Sequence, residues 1–430
     1  MTDNNNNNRN FTEEDERIMQ ERMLERRQQR AEQKRQQELK KQKNKQTMQK
    51  LVLAAKIFLA VVVVLSLLFV AARSLGNVTF SKAADYISQS ISNLKPGDGY
   101  PVEVGSGKVK DMQSMGDCVA VLRDDNVMML NSTAKKLADY THSYSKPVMS
   151  VCSGRMLLTD RTTGRYFIAD SSDTLHDDEL NTEIYCAVMG KKGNYAFACG
   201  ADDASSVVKV YGSDYNQKFT FKCVAEYIID VSLSSDGKQL ACIGLGAEKA
   251  ALYSKIYIID INEQKVVNEF RLDGKNLSNV FFSSKNTVIA VGETSYFIIE
   301  DGKDKREISF GSNTIASFTP FENGNFSIVL TKYGSIGSGV VALFDSKGEE
   351  KFTVELGSDV ECISYDGKTV CLVDSDNVLY SYNSSGKLVG ETQLEMSAQR
   401  IAVSGKYCYT LCYGDLLRCD VKTRLEQKGE

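Results

Sequence analysis

From about residue 100 to the end, the chain is built of short apolar runs separated by polar turn clusters. None of the gaps between runs accommodates a helix of ordinary length. The most regular runs are CVAVL at 118–122, MLLTD at 156–160, AFACG at 196–200, LACIG at 240–244, VIAVG at 288–292, SIVLT at 327–331, CLVD at 371–374 and YCYTLC at 407–412. Each is too short for a buried helix and is bounded by turn residues, so each predicts a β-strand. These strands are apolar at both alternating positions. A strand with one wet face would alternate apolar and polar, so these must be covered on both sides.

The strands recur within a larger unit. An apolar strand, a polar turn, a run from the first set, a second gap and a third strand often ending in Asp or Asn are followed by a turn and a fourth strand. The third strands include VMMLN at 127–131, RYFIAD at 165–170, KIYIID at 255–260, VVALFD at 340–345 and LLRCD at 416–420. Eight copies are legible, with first strands beginning near 109, 147, 184, 227, 277, 314, 359 and 399. Four-stranded units repeating every ~40 residues predict the blades of a β-propeller. Ser235-Asp236-Gly237, Asn323-Gly324, Asp366-Gly367 and Ser404-Gly405 are expected to be hairpin turns between first and second strands. The reading is an all-β, eight-bladed propeller; seven blades is the alternative, because the outer strands are hard to count. The last repeat shows three clear strands. Its fourth is expected from Pro101–Val104, closing the ring with the N-terminal side of the domain, or alternatively from Arg424–Gln427.

The pattern before residue 100 differs. Residues 51–72, LVLAAKIFLAVVVVLSLLFVAA, carry one charge, Lys56. As a helix they would extend about 33 Å, enough to cross a bilayer, with Lys56 one turn in and able to snorkel. Seven Lys/Arg lie within twenty residues before this segment (Lys34, Arg35, Lys40, Lys41, Lys43, Lys45, Lys50), but only Arg73 and Lys82 follow it closely. The positive-inside rule then places residues 1–50 in the cytoplasm and the propeller outside, in a single-pass cell-membrane protein. A cleaved signal peptide with Val70 and Ala72 at its cleavage site is the alternative. Residues 1–50 read as a basic tail, Asn-rich and disordered at its start, helical over 12–46, with too few apolar residues for a sustained coiled-coil seam. Phe80, Ala84, Ile87, Ile91 and Leu94 mark a short amphipathic helix in the segment 73–99, stopped by Lys95-Pro96-Gly97-Asp98-Gly99. The propeller is assigned to 100–430.

Charge sharpens this division. The chain carries −4 in all, but residues 1–50 carry +4, leaving −8 for the remainder. An acidic propeller does not suit nucleic acid, and the basic run before the anchor fits an anionic leaflet. Eleven cysteines, most inside apolar runs, read as free core thiols; a Cys362–Cys371 bridge across neighbouring strands is the alternative.

Ser235-Asp236-Gly237-Lys238-Gln239-Leu240-Ala241 resembles the turn and second strand of quinoprotein-like and WD-like propeller blades. The Asp260, Asp345 and Asn383 strand ends, with turns such as Ser384-Ser385-Gly386-Lys387, resemble their third-to-fourth hairpin. There is no Trp, so the Trp of WD dipeptides and quinoprotein blades is missing. The whole layout of basic tail, single anchor, Gly97-Asp98-Gly99-Tyr100-Pro101-Val102 and then blades resembles domain-of-unknown-function family 5711, membrane-anchored propellers of Gram-positive bacteria. That resemblance implies a fold and a location but no reaction.

Candidate chemistry is sparse. His142 lies in DYTHSYS, expected to be an outer strand or loop. His176 lies in an acidic loop with Asp173, Asp177, Asp178 and Glu179, which could hold a cation weakly but reads first as a solvated loop. Cys408 and Cys412 share a strand face without a CxxC pair, and Gly334-Ser335-Ile336-Gly337-Ser338-Gly339 lacks the Lys and helix of a phosphate loop. No catalytic, cofactor or metal residue is assigned. The expected role is a non-enzymatic binding or scaffold module at the cell envelope, its helix in the bilayer and a protein or cell-wall ligand on a propeller face. The alternatives are a quinoprotein-like cofactor-binding enzyme and a ligand sensor that signals through a partner.

Overall fold

The computed structural model describes residues 96–105, 109–332, 337 and 339–423. The tail at 1–50, the apolar segment 51–72, the amphipathic stretch up to residue 95, most of the 334–339 loop and Arg424–Gln427 lie outside these. No helix among the described residues is long and apolar enough to cross a membrane.

Eight four-stranded antiparallel sheets make an eight-bladed propeller. The innermost strands are Asp111–Met115, Pro147–Cys152, Ile184–Met189, Tyr227–Leu233, Leu277–Phe282, Asn313–Pro320, Val360–Tyr365 and Arg400–Ser404, numbered here as blades one to eight. In blades one to seven, consecutive strands run outward in sequence order. In blade eight the outermost strand is Val102–Glu103, paired to Asp415–Asp420 with Val102 opposite Leu416 and Glu103 opposite Asp415. The ring is thus closed by the N-terminal strand, which joins the start of the domain to its end.

Eight apolar clusters, one at each blade junction, form the core among the described residues. The second strands explain this arrangement. In blade four, Leu240 and Cys242 face blade three, while Ala241 and Ile243 face blade five. Alternation of side chains across a strand therefore feeds two different cores, and every position of a second strand must be apolar. The fourth strands face solvent: Asp304–Ser309 reads DKREIS and is exposed along nearly its whole length. Charge on such outer edges discourages edge-to-edge pairing.

All eleven cysteines are free, eight of them buried. Strand register places Cys362 opposite Val373 and Cys371 opposite Ser364, so the alternative Cys362–Cys371 bridge is excluded. Desolvation pushes the Cys118 thiol up to about 12 and Cys242 well above its usual value, which keeps both protonated and unreactive.

The innermost strands leave one edge unpaired toward the axis. Neighbouring blades meet part of that need with side chains. The Met189, Phe282 and Val403 amides each donate to a serine hydroxyl of the preceding blade (Ser150, Ser232 and Ser364), each at 3.0 Å. A buried backbone N–H without a partner costs about 1–3 kcal/mol, so these serines tie adjacent blades near the axis.

Candidate functional site

A propeller has two faces. On one lie the hairpins joining first to second and third to fourth strands; on the other lie the second-to-third hairpins and the links from one blade to the next. The interblade face is distinguished by one blade. Gln239–Glu248 and Ala251–Asp260 of blade four are ten residues each, where most second and third strands have five or six. Gly246, Ala247 and Glu248 pair only with the third strand, and the turn at Lys249 and Ala250 has φ of 49° and 64°, so the hairpin stands above its neighbours.

A buried carboxylate holds that hairpin upright. Glu226, in the link from blade three, accepts hydrogen bonds from the hydroxyls of Tyr253 (3.0 Å) and Tyr257 (2.7 Å) and from the Cys223 thiol (3.1 Å). Desolvation raises its pKa, but the bonds from Tyr257, Cys223 and Tyr253 and the charge of Lys255 outweigh it and hold the carboxyl below its usual range. The Arg271 guanidinium lies 3.8 Å from the Tyr253 ring centre and pairs with Glu248 at 2.6 Å and Asp273 at 2.8 Å. Gly244 leaves room for Glu226, and Gly246 for the Tyr253 ring.

Beside the hairpin is a cavity of about 260 Å³ lined by Arg161, Tyr185, Tyr227, Ile228 and Ile229. Two of these owe their position to irregular pairing. The register of the inner strands slips between Ile184 and Cys186 and between Ile228 and Asp230. The extra residues are Tyr185 and Ile229, and a bulge re-aims the side chain it ejects. The Tyr185 and Tyr227 rings lie 6.2 Å apart. Val224, Tyr227 and Leu252, from the link into blade four and its tall hairpin, are exposed near this cavity. Nine large apolar side chains are strongly exposed among the described residues. Six of them, Val148, Val224 (72 %), Tyr227 (57 %), Leu252 (52 %), Met396 and Tyr413 (74 %), lie on the interblade face or its rim. The polypeptide joins the propeller on the opposite face, where the Gly97 amide donates to Thr133 Oγ1 in a third-to-fourth hairpin of blade one.

Asp230 follows the bulge at Ile229, and its Oδ2 accepts from the Val280 amide at 2.7 Å. Desolvation pushes this carboxyl up to about 7 against the backbone bonds from Val280 and Val231. Between pH 4 and 7 the folded chain therefore keeps a proton that the unfolded chain has lost, and stability falls as pH rises through this window. Asp230→Asn is expected to remove that slope, on the order of 2–4 kcal/mol between pH 4 and 8. Denaturant midpoints of both proteins across the range provide the check.

The opposite face carries a larger cavity of about 680 Å³ where first-to-second hairpins of blades one, two, six, seven and eight converge. Its lining includes Ser153, Glu322, Asp366, Lys368, Lys406 and Tyr407.

The histidines take no part in either face's cavity. His142 follows the outer strand Lys136–Thr141, packs on Tyr144 (5.2 Å between ring centres) and accepts the Tyr144 amide at Nδ1. His176 is not in a loop: it lies within the outer strand Thr174–Glu179, stacked on Tyr215 at 4.4 Å. Asp177, Asp178 and Glu179 occupy the same strand, so their charge belongs to a solvent-facing edge. No group of three or more His, Cys, Asp or Glu side chains suited to a metal occurs among the described residues. Cys408 and Cys412 are buried together in the junction of blades seven and eight. Buried Asp160 accepts the Ser145, Lys146 and Thr162 amides and the Thr163 hydroxyl, a loop-fixing role. The Tyr185–Tyr227 cavity carried no signal in the sequence, because bulges appear only once strands are paired.

Comparison with solved structures supports the fold. The C-terminal WD40 domain of Sif2 matches with a TM-score of 0.53 at 11 % identity, over 75 % of this chain and 98 % of that one. Sqt1 of Saccharomyces cerevisiae matches at 0.52 and 12 %, over 76 % and 100 %. The computationally designed Ika8 protein matches at 0.52 and 11 %, over 74 % and 98 %. At these identities the likeness concerns the fold alone. No curated protein sequence matches the chain. Residues 98–418, from the glycine-rich entry strand to the last blade, match one sequence family throughout, and the chain accordingly belongs to DUF5711, a family of unknown function.

Proposed function

We propose that this chain is a membrane-anchored binding module whose propeller works outside the cell and docks a protein partner on its interblade face, without catalysing a reaction. The group of exposed Val224, Tyr227 and Leu252 beside the Tyr185–Tyr227 cavity carries the reading. Monomeric surfaces scatter such residues singly, and clustered ones mark interaction sites. Tyrosine and arginine around a preformed cavity are the residue types that dominate binding energy at protein interfaces, and Arg161, Tyr185 and Tyr227 line such a cavity. The Glu226 network fixes the tall hairpin before a partner arrives, which lowers the ordering cost of association. Residues 51–72 supply the anchor and the basic flank its direction.

Two experiments test this. A photo-crosslinking amino acid placed at Tyr227 of the full-length protein in native membranes is expected to give a discrete adduct. The same group at Val266, exposed on an outer strand, is expected to give none. Tyr227→Ala should weaken recovery of that partner about tenfold or more, as for a central aromatic anchor; equal adducts from both positions would sink the docking assignment. For topology, protease added to intact spheroplasts is expected to degrade the propeller while leaving residues 1–50 protected. Protection of the propeller would reverse the assigned sidedness.

A further inference from the structure

We propose that the cavity on the hairpin face is a receptor for a peptide carboxylate, and that Glu322 occupies it as a built-in competitor. Glu322 lies in the first-to-second turn of blade six, Ser153 in that of blade two, four blades away around the ring. Yet the two meet across the axis. The Ser153 amide donates to Glu322 Oε1 at 2.5 Å, and the Ser153 hydroxyl donates to Oε2 at 3.2 Å. Two donors thus grip both oxygens of one carboxylate, the geometry by which charge-assisted hydrogen bonds select that group.

The donor pair is prepared by the turn itself. Ser153 and Gly154 have φ of 50° and 73°, the mirror-image two-residue turn that suits a twisted hairpin. The first central amide of such a turn is not needed to close it, so the Ser153 N–H is free to face the cavity. The surroundings supply cations as well. Lys368 and Lys406 line the cavity, and neither has an ion pair among those described. Two further carboxylates lie in the wall, Asp117 and Asp366, the latter accepting from the Lys368, Thr369 and Gly405 amides, so the two lysines balance these two and Glu322 is the remaining charge. Phe321, Tyr407 and Tyr409 give the cavity apolar walls, and the Arg418 guanidinium lies 4.2 Å from the Tyr407 ring centre.

Glu322 is well suited to yield. Its side chain is exposed and sits on a turn, so a rotamer change releases Ser153 without moving a strand. An incoming carboxylate then takes the same two donors, while the cavity holds the rest of the peptide. This site is separate from the interblade face and does not depend on docking there.

The test uses acetyl-Gly-Ala with a free C-terminal carboxylate and the same dipeptide as its C-terminal amide, titrated by calorimetry into the full-length protein in detergent. Glu322→Gln is expected to bind the acid at least tenfold more tightly than the unmodified chain and to bind the amide no better. Adding Ser153→Ala to Glu322→Gln should lower acid affinity about fivefold, and Lys406→Ala in the same background should lower it further. Thermal unfolding of each variant confirms that the propeller is intact. Equal affinity for acid and amide, or a Glu322→Gln variant that binds the acid no better than the unmodified chain, would overturn the proposal.

Discussion

Val104→Asp is expected to lower the denaturation midpoint of the propeller by far more than any surface substitution, by about 3–5 kcal/mol in stability. Val104 is 1 % exposed and packs in the cluster shared by blades eight and one, with Met112, Val119, Leu411 and Leu416. Its amide donates to the Gly414 carbonyl at 2.9 Å and continues the pairing of the closing strand. A carboxylate there would be desolvated among apolar side chains, and the Arg123 guanidinium in the adjoining cavity would offset only part of that cost. Position compounds chemistry, because this strand is the seam of the ring. Loosening it exposes the outer edge of Asp415–Asp420 together with one side of two blades. Val148→Asp, on an exposed site of blade two, is the matched control and should change stability by less than about 0.5 kcal/mol. Urea unfolding of the two variants side by side separates the effect of burial from that of added charge; similar midpoints would show that the seam does not hold the ring.

Gly324→Ala should cost about 2–5 kcal/mol, from two additive causes. Gly324 has φ of +88°, a region that L side chains rarely adopt and that costs about 1–2 kcal/mol. A Cβ at this position would also collide with the Ser283 carbonyl oxygen of blade five and crowd Ser346 Cβ. Backbone on both sides of a blade junction would have to move, and overpacking of that kind costs about 1–3 kcal/mol. Gly116→Ala isolates the first cause. Its φ is +60°, but nothing lies within 4 Å of the added methyl. A thermal melt should therefore show Gly116→Ala slightly destabilised and Gly324→Ala markedly so. Equal shifts would mean that the junction of blades five and six yields more readily than its packing indicates.

Much of the fold was legible because a blade's second strand has no wet face. Leu240 to Ile243 had to be apolar at every position, since successive side chains enter different junctions, and that uninterrupted pattern recurs eight times. The hairpin at Asp236-Gly237 and the closing role of Val102–Glu103 were readable for similar local reasons. The outer strands were not. Thr174–Glu179 carries His176 and three acidic residues and looks like a loop, because a strand with one free edge and a solvent face needs charge rather than grease. The cysteine alternative failed on register: Cys362 and Cys371 are close in sequence, but the hairpin pairs Ser364 with Cys371 and so sets Cys362 against Val373.

The candidate sites were the least legible part. Tyr185 and Ile229 look like ordinary strand residues, and only the slip in pairing turns them toward a common cavity. Glu322 and Ser153 are 169 positions apart, and nothing local marks either as the other's partner. The amino-acid sequence by itself pointed to eight four-stranded repeats and to Pro101–Val104 as the closing strand, because these follow from periodic burial and short-range turns; the choice against seven blades and against Arg424–Gln427 came from the strand pairing. Tertiary structure alone decided which side chains converge on each face, because ring closure brings together residues whose separation along the chain carries no local energetic signature.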